Sequence, residues 1–351
     1  MAVSWLLAYN PLSAREGFEG GARGLGMSAG PPRLLVLLNR TDATQAALDR
    51  AFPDVPWAFS DDPSVTDRSA VEALLVGSLA GGVQQFDPGT TPRLKFVQRI
   101  YTGLDGFPFS RFPPAVAVAG NVGAFGPFVA EHAVALALDA LRDLSGGAAM
   151  VRAGRLRPPP EIRTLVGATV TILGYGEIGR EVVRRLSGFG CRFVGVNRSG
   201  LPGDGVDRMF PAERFREALP EAALVVEVRP LTRQTERTIG KAELELMRED
   251  AVFVNVGRAA TVDAAALFDH LRAHPRFRAA FDVWWDEDFS SGQLKSEWPF
   301  ASLPNFYGTP HCATTLDAAT PRALGTAVEN LERFFRSGAP LHLADRSEYS
   351  D

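Results

Sequence analysis

Thr169-Val-Thr-Ile-Leu-Gly174-Tyr175-Gly176-Glu177-Ile178-Gly179-Arg-Glu-Val-Val-Arg-Arg-Leu186 decides how the rest of the chain is read. Residues 169–173 are apolar or β-branched, as an interior parallel strand requires. Ile178, Val182, Val183 and Leu186 then recur at helical spacing and give the next segment one buried face. The glycines between them form G-x-G-x-x-G. Gly174 permits a sharp turn, Gly176 lets backbone approach a pyrophosphate, and Gly179 lets helix pack closely on strand. The helix start adds N–H groups and partial positive charge. Glycines also serve ordinary turns, but a strand before and a helix after make dinucleotide binding the favoured reading of residues 174–179.

The chain has 351 residues, 46% of them hydrophobic, enough for two domains with separate cores. A net charge of −4 provides no basic field for nucleic acid or an anionic membrane. Cys191 and Cys312 give neither a disulfide framework nor metal-ligand spacing, so the sequence points to a reducing cytoplasm and no metal. No apolar run reaches the roughly 18 residues of a membrane span. Residues 1–32 are expected to be a disordered extension, rich in Gly, Ser and Pro towards its end. Residues 1–26 are expected to be dispensable, which a chain beginning at Met27 that failed to fold would refute.

Outward from the glycine stretch the pattern alternates between strands and helices. Strands are expected at 33–39, 73–77, 95–100 and 115–119, with a helix at 46–52, forming a small parallel α/β domain over residues 33–123. The mostly apolar helix from Val129 suits burial between domains or in a dimer interface, and Pro158-Pro-Pro160 marks a loop. Strands at 191–196, 222–228, 251–256, 279–283 and 305–309 join 169–173 to make six, a complete doubly wound sheet. This dinucleotide-binding domain is placed at 124–311. Residues 312–351 supply a C-terminal helix, 318–335, with Leu324, Val328, Leu331 and Phe335 in one stripe.

About twenty residues after the glycine turn an acidic side chain usually accepts hydrogen bonds from the adenosine ribose. Asn197-Arg198-Ser199 stands there instead. A carboxylate would repel a 2′-phosphate, whereas these residues offer donors and positive charge. NADP(H) is therefore favoured. NAD(H) remains open, with Arg198 then a solvated surface residue.

Three charged residues follow strand ends in the second half: Arg258, Glu287 and His311. Carboxyl-end loops of neighbouring parallel strands lie side by side, so the three can converge on the cofactor crevice. Each alone has a plainer reading, as a loop cap, an exposed acid or a turn residue. Tyr101-Thr102-Gly103-Leu104-Asp105 and Gly120-Asn121-Val-Gly123 likewise follow strand ends, where turns are equally common.

Together these motifs resemble the D-isomer-specific 2-hydroxyacid dehydrogenases, from about residue 33 to the C-terminus. The resemblance rests on Thr102-Gly103-Leu-Asp105, Val129-Ala-Glu131-His132, the glycine turn, Pro230-Leu-Thr232, Asn255-Val256-Gly257-Arg258, Asp282-Val-Trp284 and Thr309-Pro310-His311. It implies two doubly wound domains: a Rossmann dinucleotide-binding domain and a smaller flavodoxin-like substrate domain, split so that the C-terminal helix returns to it. It implies that Arg258, Glu287 and His311 form the family's triad, Glu287 standing five positions after Asp282. It puts Pro230, Val256 and Gly257 at the cofactor, Asp282 at the nicotinamide carboxamide, and Thr102 and Gly103 at the substrate carboxylate. A small 2-keto or 2-hydroxy acid is the implied substrate and a homodimer the implied assembly.

In that scheme His311 is the general acid and base, Glu287 favours its imidazolium form, and Arg258 grips the substrate carboxylate. Ala259, Asp288 and Thr314 depart from the residues common at those places, which bears on pocket shape. The rival reading is a dinucleotide-sensing regulator of corepressor type, which shares the architecture. The formate dehydrogenase branch is disfavoured because it carries glutamine where Glu287 stands.

Overall fold

The computed structural model describes residues 31–77, 83–156, 161–287 and 291–349. Most of the expected N-terminal extension and the 158–160 loop lie outside them. The described chain divides into two compact units. One runs up to Phe125 and resumes at Thr315; the other is Gly126–Thr314.

The first unit is a five-stranded parallel sheet of β1 (Leu34–Leu37), β2 (Trp57–Phe59), β3 (Ala73–Val76), β4 (Phe96–Arg99) and β5 (Ala117–Ala119), in the order β2-β1-β3-β4-β5. Helix α1 (Asp42–Ala51) begins four residues before the expected start because Thr41 caps it, its hydroxyl accepting from Thr44 N–H at 3.1 Å. The C-terminal helix (Ala319–Ser337) presents Leu324, Ala327, Val328 and Leu331 to a core containing Leu48, Phe52 and Phe96. Asn330 Nδ2 donates to Gln98 Oε1 at 2.7 Å and fixes the helix on β4. Beyond it, Ala344 N–H donates to Val118 O at 2.8 Å, and Arg346 donates to the carbonyls of Phe112 and Pro113, both at 3.0 Å.

The second unit holds α2 (Gly126–Arg142), α3 (Leu144–Arg152), β6 (Thr169–Leu173), α4 (Glu177–Leu186), β7 (Arg192–Asn197), β8 (Arg208–Pro211), β9 (Leu224–Glu227), α5 (Lys241–Leu246), β10 (Val252–Asn255), α6 (Ala264–Ala273), β11 (Arg278–Phe281) and β12 (Phe306–Gly308). Its parallel sheet runs β12-β11-β10-β9-β6-β7-β8. Strand order reverses between β6 and β9, so the glycine turn stands at the switch point where open α/β sheets bind ligands. The two α/β units are of the doubly wound kind.

Seven strands, not six, build this sheet. The added one, Arg208-Met-Phe-Pro211, is an edge strand with no fully buried residue and a terminal proline, so it lacks the apolar run that marks its neighbours. The short β2, likewise at an edge, has only three residues, too few for a periodic pattern. Helix α2 buries Val129, Ala130, Ala133, Leu136, Ala137, Ala140 and Leu141, and packs on α4 and on strands β10–β12 of its own unit. Arg278 donates to Ala140 O at 2.6 Å and supplies positive charge at the carboxyl end of α2. No described helix is long and apolar enough to cross a membrane.

Candidate active site

At the switch point the three glycines do different work. Gly174 has φ +102°, and a Cβ there would lie 2.9 Å from Arg229 N and 3.0 Å from Val228 C. A Cβ on Gly179 would meet Gly174 O at 2.7 Å and Ile172 Cγ2 at 2.9 Å, so any side chain would push α4 off β6. A Cβ on Gly176 would meet nothing within 4 Å. Space is therefore left at the middle glycine, where α4 begins without a side-chain cap. Glu177 is paired with Arg180, and Ile178 is half-buried. Tyr175 is buried and turned away: its hydroxyl donates to Asp204 O and its ring packs against Gly195 and Gly203.

After β7, Asn197 Oδ1 accepts from Ser199 N–H at 3.1 Å and Gly200 N–H at 2.6 Å, while its Nδ2 donates to Leu201 O at 3.1 Å. The Asn197 amide is thus spent on shaping its own loop. Arg198 and Ser199 are exposed on that loop.

After β9 and β10 the chain is packed tightly. A Cβ on Gly257 would lie 2.9 Å from Arg229 O and 3.1 Å from Val228 Cα, so only glycine lets the Pro230 segment pass. Val256 is buried and Pro230 exposed. Fully buried Glu227 receives the Arg229 backbone N–H at 2.8 Å and Arg229 Nε at 3.0 Å. This ion pair was not anticipated; its signal is a glutamate ending an apolar run with an arginine two residues on. Asn255 Oδ1 accepts from Gly257 N–H at 3.0 Å, and Arg258 Nη1 donates to Gly257 O at 2.8 Å.

The loops after β11 and β12 bring Glu287 and His311 into contact. His311 Nδ1 lies 2.8 Å from Glu287 Oε1, with the side chains 27% and 24% exposed. An ionised carboxylate only accepts, which assigns the Nδ1 proton to His311. Trp284 braces the pair: its backbone N–H donates to Glu287 Oε1 at 2.9 Å and its indole N–H to Thr309 O at 2.9 Å. His311 sits at φ +51°, in the left-handed region, with its N–H 3.0 Å from Thr309 O. Arg258 follows β10, the strand beside β11, so all three residues leave consecutive strands at one end of the sheet.

Asp282 lies at the same end, 1% exposed. Oδ1 accepts from the Thr309 hydroxyl at 2.6 Å and Cys312 N–H at 2.9 Å, and Oδ2 from Ala313 N–H at 3.0 Å. His132 Nε2 is 3.3 Å from Oδ1 and 2.9 Å from Thr309 Oγ1. Burial works to raise the Asp282 carboxyl, but hydrogen bonds from His132, Thr309 and Cys312 outweigh it and hold the group below the ordinary carboxylate range. Burial and the adjoining carboxylate push the Cys312 thiol up. His132, Asp282 and Cys312 place one nitrogen, oxygen and sulfur ligand within 4.8 Å of one another, a grouping their sequence spacing hides. Donors already engage both Asp282 oxygens, which makes the cluster a hydrogen-bond network.

Thr102 and Gly103 belong to the first unit, in the loop after β4. The Thr102 hydroxyl donates to Asn121 O at 2.9 Å, and Gly103 O accepts from Arg99. A Cβ on Gly120 would lie 2.4 Å from Thr102 O, so glycine there lets the two loops touch.

Residues 134–313 match the family described as D-isomer specific 2-hydroxyacid dehydrogenase, NAD binding domain. A glyoxylate reductase of Thermococcus gammatolerans is 31% identical over 180 residues, covering 51% of this chain and about half (52%) of that protein's length. A glyoxylate reductase of Aeropyrum pernix is 30% identical over 266 residues, covering 73% of this chain and 77% of its own. Among solved structures, one from Pyrobaculum aerophilum, provisionally assigned as a formate dehydrogenase, superposes with a TM-score of 0.77 at 31% identity, covering 91% of this chain and all of that one.

Proposed function

The chain belongs to the D-isomer-specific 2-hydroxyacid dehydrogenase family, and on that premise we propose that it reduces a small 2-keto acid to the D-2-hydroxy acid with NADP(H). The observation carrying this reading is the 2.8 Å contact between His311 Nδ1 and Glu287 Oε1 at the same end of the parallel sheet as the glycine turn. The residues at the carboxyl end of this sheet fit a dinucleotide. There is open space at Gly176, an uncapped helix start for a pyrophosphate, and a buried, well-donated Asp282 to accept from a carboxamide. Bound there, the reduced nicotinamide supplies a hydride to the C2 carbonyl.

Negative charge then builds on the carbonyl oxygen, and His311 gives it a proton from Nε2, the ring nitrogen not directed at Glu287. Glu287 stabilises the charged imidazole and fixes its tautomer. Arg258 holds the substrate carboxylate with its forked donors and polarises the carbonyl. Thr102 and Gly103 are proposed to bind that carboxylate through backbone N–H groups, a role drawn from the family. Arg198 and Ser199 are proposed to meet a 2′-phosphate.

A homodimer is proposed through α3. No residue of that helix is buried, and Leu144 and Val151 on it are 58% and 67% exposed. Light scattering on a Val151→Glu variant checks this, and an unchanged mass at or above dimer size removes the assignment. The activity is tested by supplying glyoxylate, hydroxypyruvate, pyruvate and longer 2-keto acids with NADPH or NADH and following cofactor absorbance. Oxidation of neither cofactor by any of them would overturn the proposal.

A further inference from the structure

Asp282 is a charged group enclosed at the catalytic end of the second unit, and its surroundings fix a direction of hydrogen bonding. An ionised carboxylate has no proton to give, so at 2.6 Å the Thr309 hydroxyl must donate to Oδ1. Thr309 Oγ1 then has only lone pairs for its other neighbour, His132 Nε2, at 2.9 Å. That nitrogen therefore carries a hydrogen. The chain of donors runs from His132 on α2, through Thr309 after β12, to Asp282 after β11. The 3.3 Å approach of His132 Nε2 to Oδ1 reinforces it electrostatically.

We propose that His132 and Thr309 are positioning residues for cofactor binding, holding Asp282 ionised and turned so that Oδ2 accepts from the nicotinamide carboxamide. This rests on the reading of Asp282 as the carboxamide acceptor. Oδ1 is saturated by Thr309, the Cys312 backbone and His132, whereas Oδ2 takes a single backbone donor, from Ala313. Without the hydroxyl donor, a buried carboxylate either rotates to recover a partner or takes up a proton. Both outcomes weaken an acceptor for an amide N–H. Neither removes the proton donor, because the His311–Glu287 pair and Trp284 are tied to the Thr309 backbone carbonyl, which a side-chain substitution leaves in place.

The relay predicts a split between binding and turnover. In full-length protein, Thr309→Val and His132→Leu each raise the KM and Kd for the reduced cofactor about 10-fold, with kcat at saturating cofactor within about 3-fold of wild type. His132→Gln, whose amide can return an N–H to Thr309, recovers most of the affinity. Because His132 acts chiefly through Thr309 and approaches Oδ1 directly only at 3.3 Å, the double variant loses less affinity than the sum of the two single losses. A structural tie would lower melting temperature, spare cofactor affinity, and gain nothing from glutamine. Cofactor affinity at the wild-type level in Thr309→Val, or additive losses in the double variant, overturns the relay. Asp282→Asn serves as the reference. If it binds cofactor as wild type does, the carboxamide reading itself falls; if it is weakened while Thr309→Val is not, only the relay falls.

Discussion

His311 Nδ1 and Glu287 Oε1 are 2.8 Å apart, and the same carboxylate oxygen takes the Trp284 backbone N–H at 2.9 Å. One oxygen thereby orients the imidazole while being held by the chain that follows β11. The left-handed backbone of His311, φ +51°, gives the ring its direction.

From this pairing, His311→Ala is expected to lower kcat for keto-acid reduction by about 10²–10⁴-fold, with cofactor binding retained. Glu287→Gln keeps the contact but removes the countercharge. Its kcat should fall, but by less than in His311→Ala, since the acceptor for Nδ1–H is kept. Steady-state kinetics of the two variants check this, and near-normal turnover in His311→Ala would end the assignment.

The glycine turn separates folding from binding. Gly176→Ala adds a methyl group that meets nothing within 4 Å in the protein, so its melting temperature should match the wild type. The methyl would stand where a pyrophosphate approaches, and Kd for the cofactor should rise at least about 10-fold. Gly179→Ala forces a Cβ to 2.7 Å from Gly174 O and should lose stability and binding together. Thermal melts with and without cofactor distinguish the two; equal melting losses would contradict this division.

The parts legible in the sequence are those in which one local pattern suffices. β6, its glycine turn and α4 combine a buried β-branched run with spaced glycines and a helical stripe. Glu287 and His311 were expected to converge because adjacent parallel strands end together, and they touch. Edge strands β2 and β8 escaped because runs of three and four residues are too short to carry a periodic signal. The Asn197 side chain looked like a ligand donor, yet it closes its own loop, since an amide next to backbone N–H groups bonds locally first. The His132–Thr309–Asp282 network depends on how α2 docks across the sheet, a tertiary fact that no stretch of sequence carries.

His270 should make the second unit acid-sensitive. The ring is buried on α6, stacked 4.1 Å from His274 and edge-on to Phe277, and its Nε2 makes no hydrogen bond. Burial, with a smaller contribution from His274, pushes it down from 6.5 to about 4. Between those values the unfolded chain binds a proton that the folded one does not, so stability falls as pH drops from 6.5 towards 4 and this loss then levels off. Above 6.5 both states are neutral and the contribution is flat. Melting temperatures of wild type and His270→Phe from pH 7.5 to 4.5 test this, the variant losing less; parallel curves would rule it out.

Cofactor choice should reside in Arg198. It stands exposed after β7, in a loop whose shape is set by Asn197, by Tyr175 donating to Asp204 O, and by Gly200 at φ +70° against Pro211. No carboxylate occupies positions 197–199 to repel a 2′-phosphate. A guanidinium bonded to phosphate contributes about 1.5–3 kcal/mol, or roughly 10–150-fold. Arg198→Ala should therefore lower kcat/KM for NADPH by about that factor and leave NADH nearly unchanged. Asn197→Asp should act differently: its oxygen keeps the two backbone N–H donors, the Nδ2 bond to Leu201 O is lost, and the added charge opposes the phosphate. Comparing kcat/KM for both reduced cofactors across the three proteins decides the matter, and a wild type that prefers NADH would sink the NADP(H) assignment.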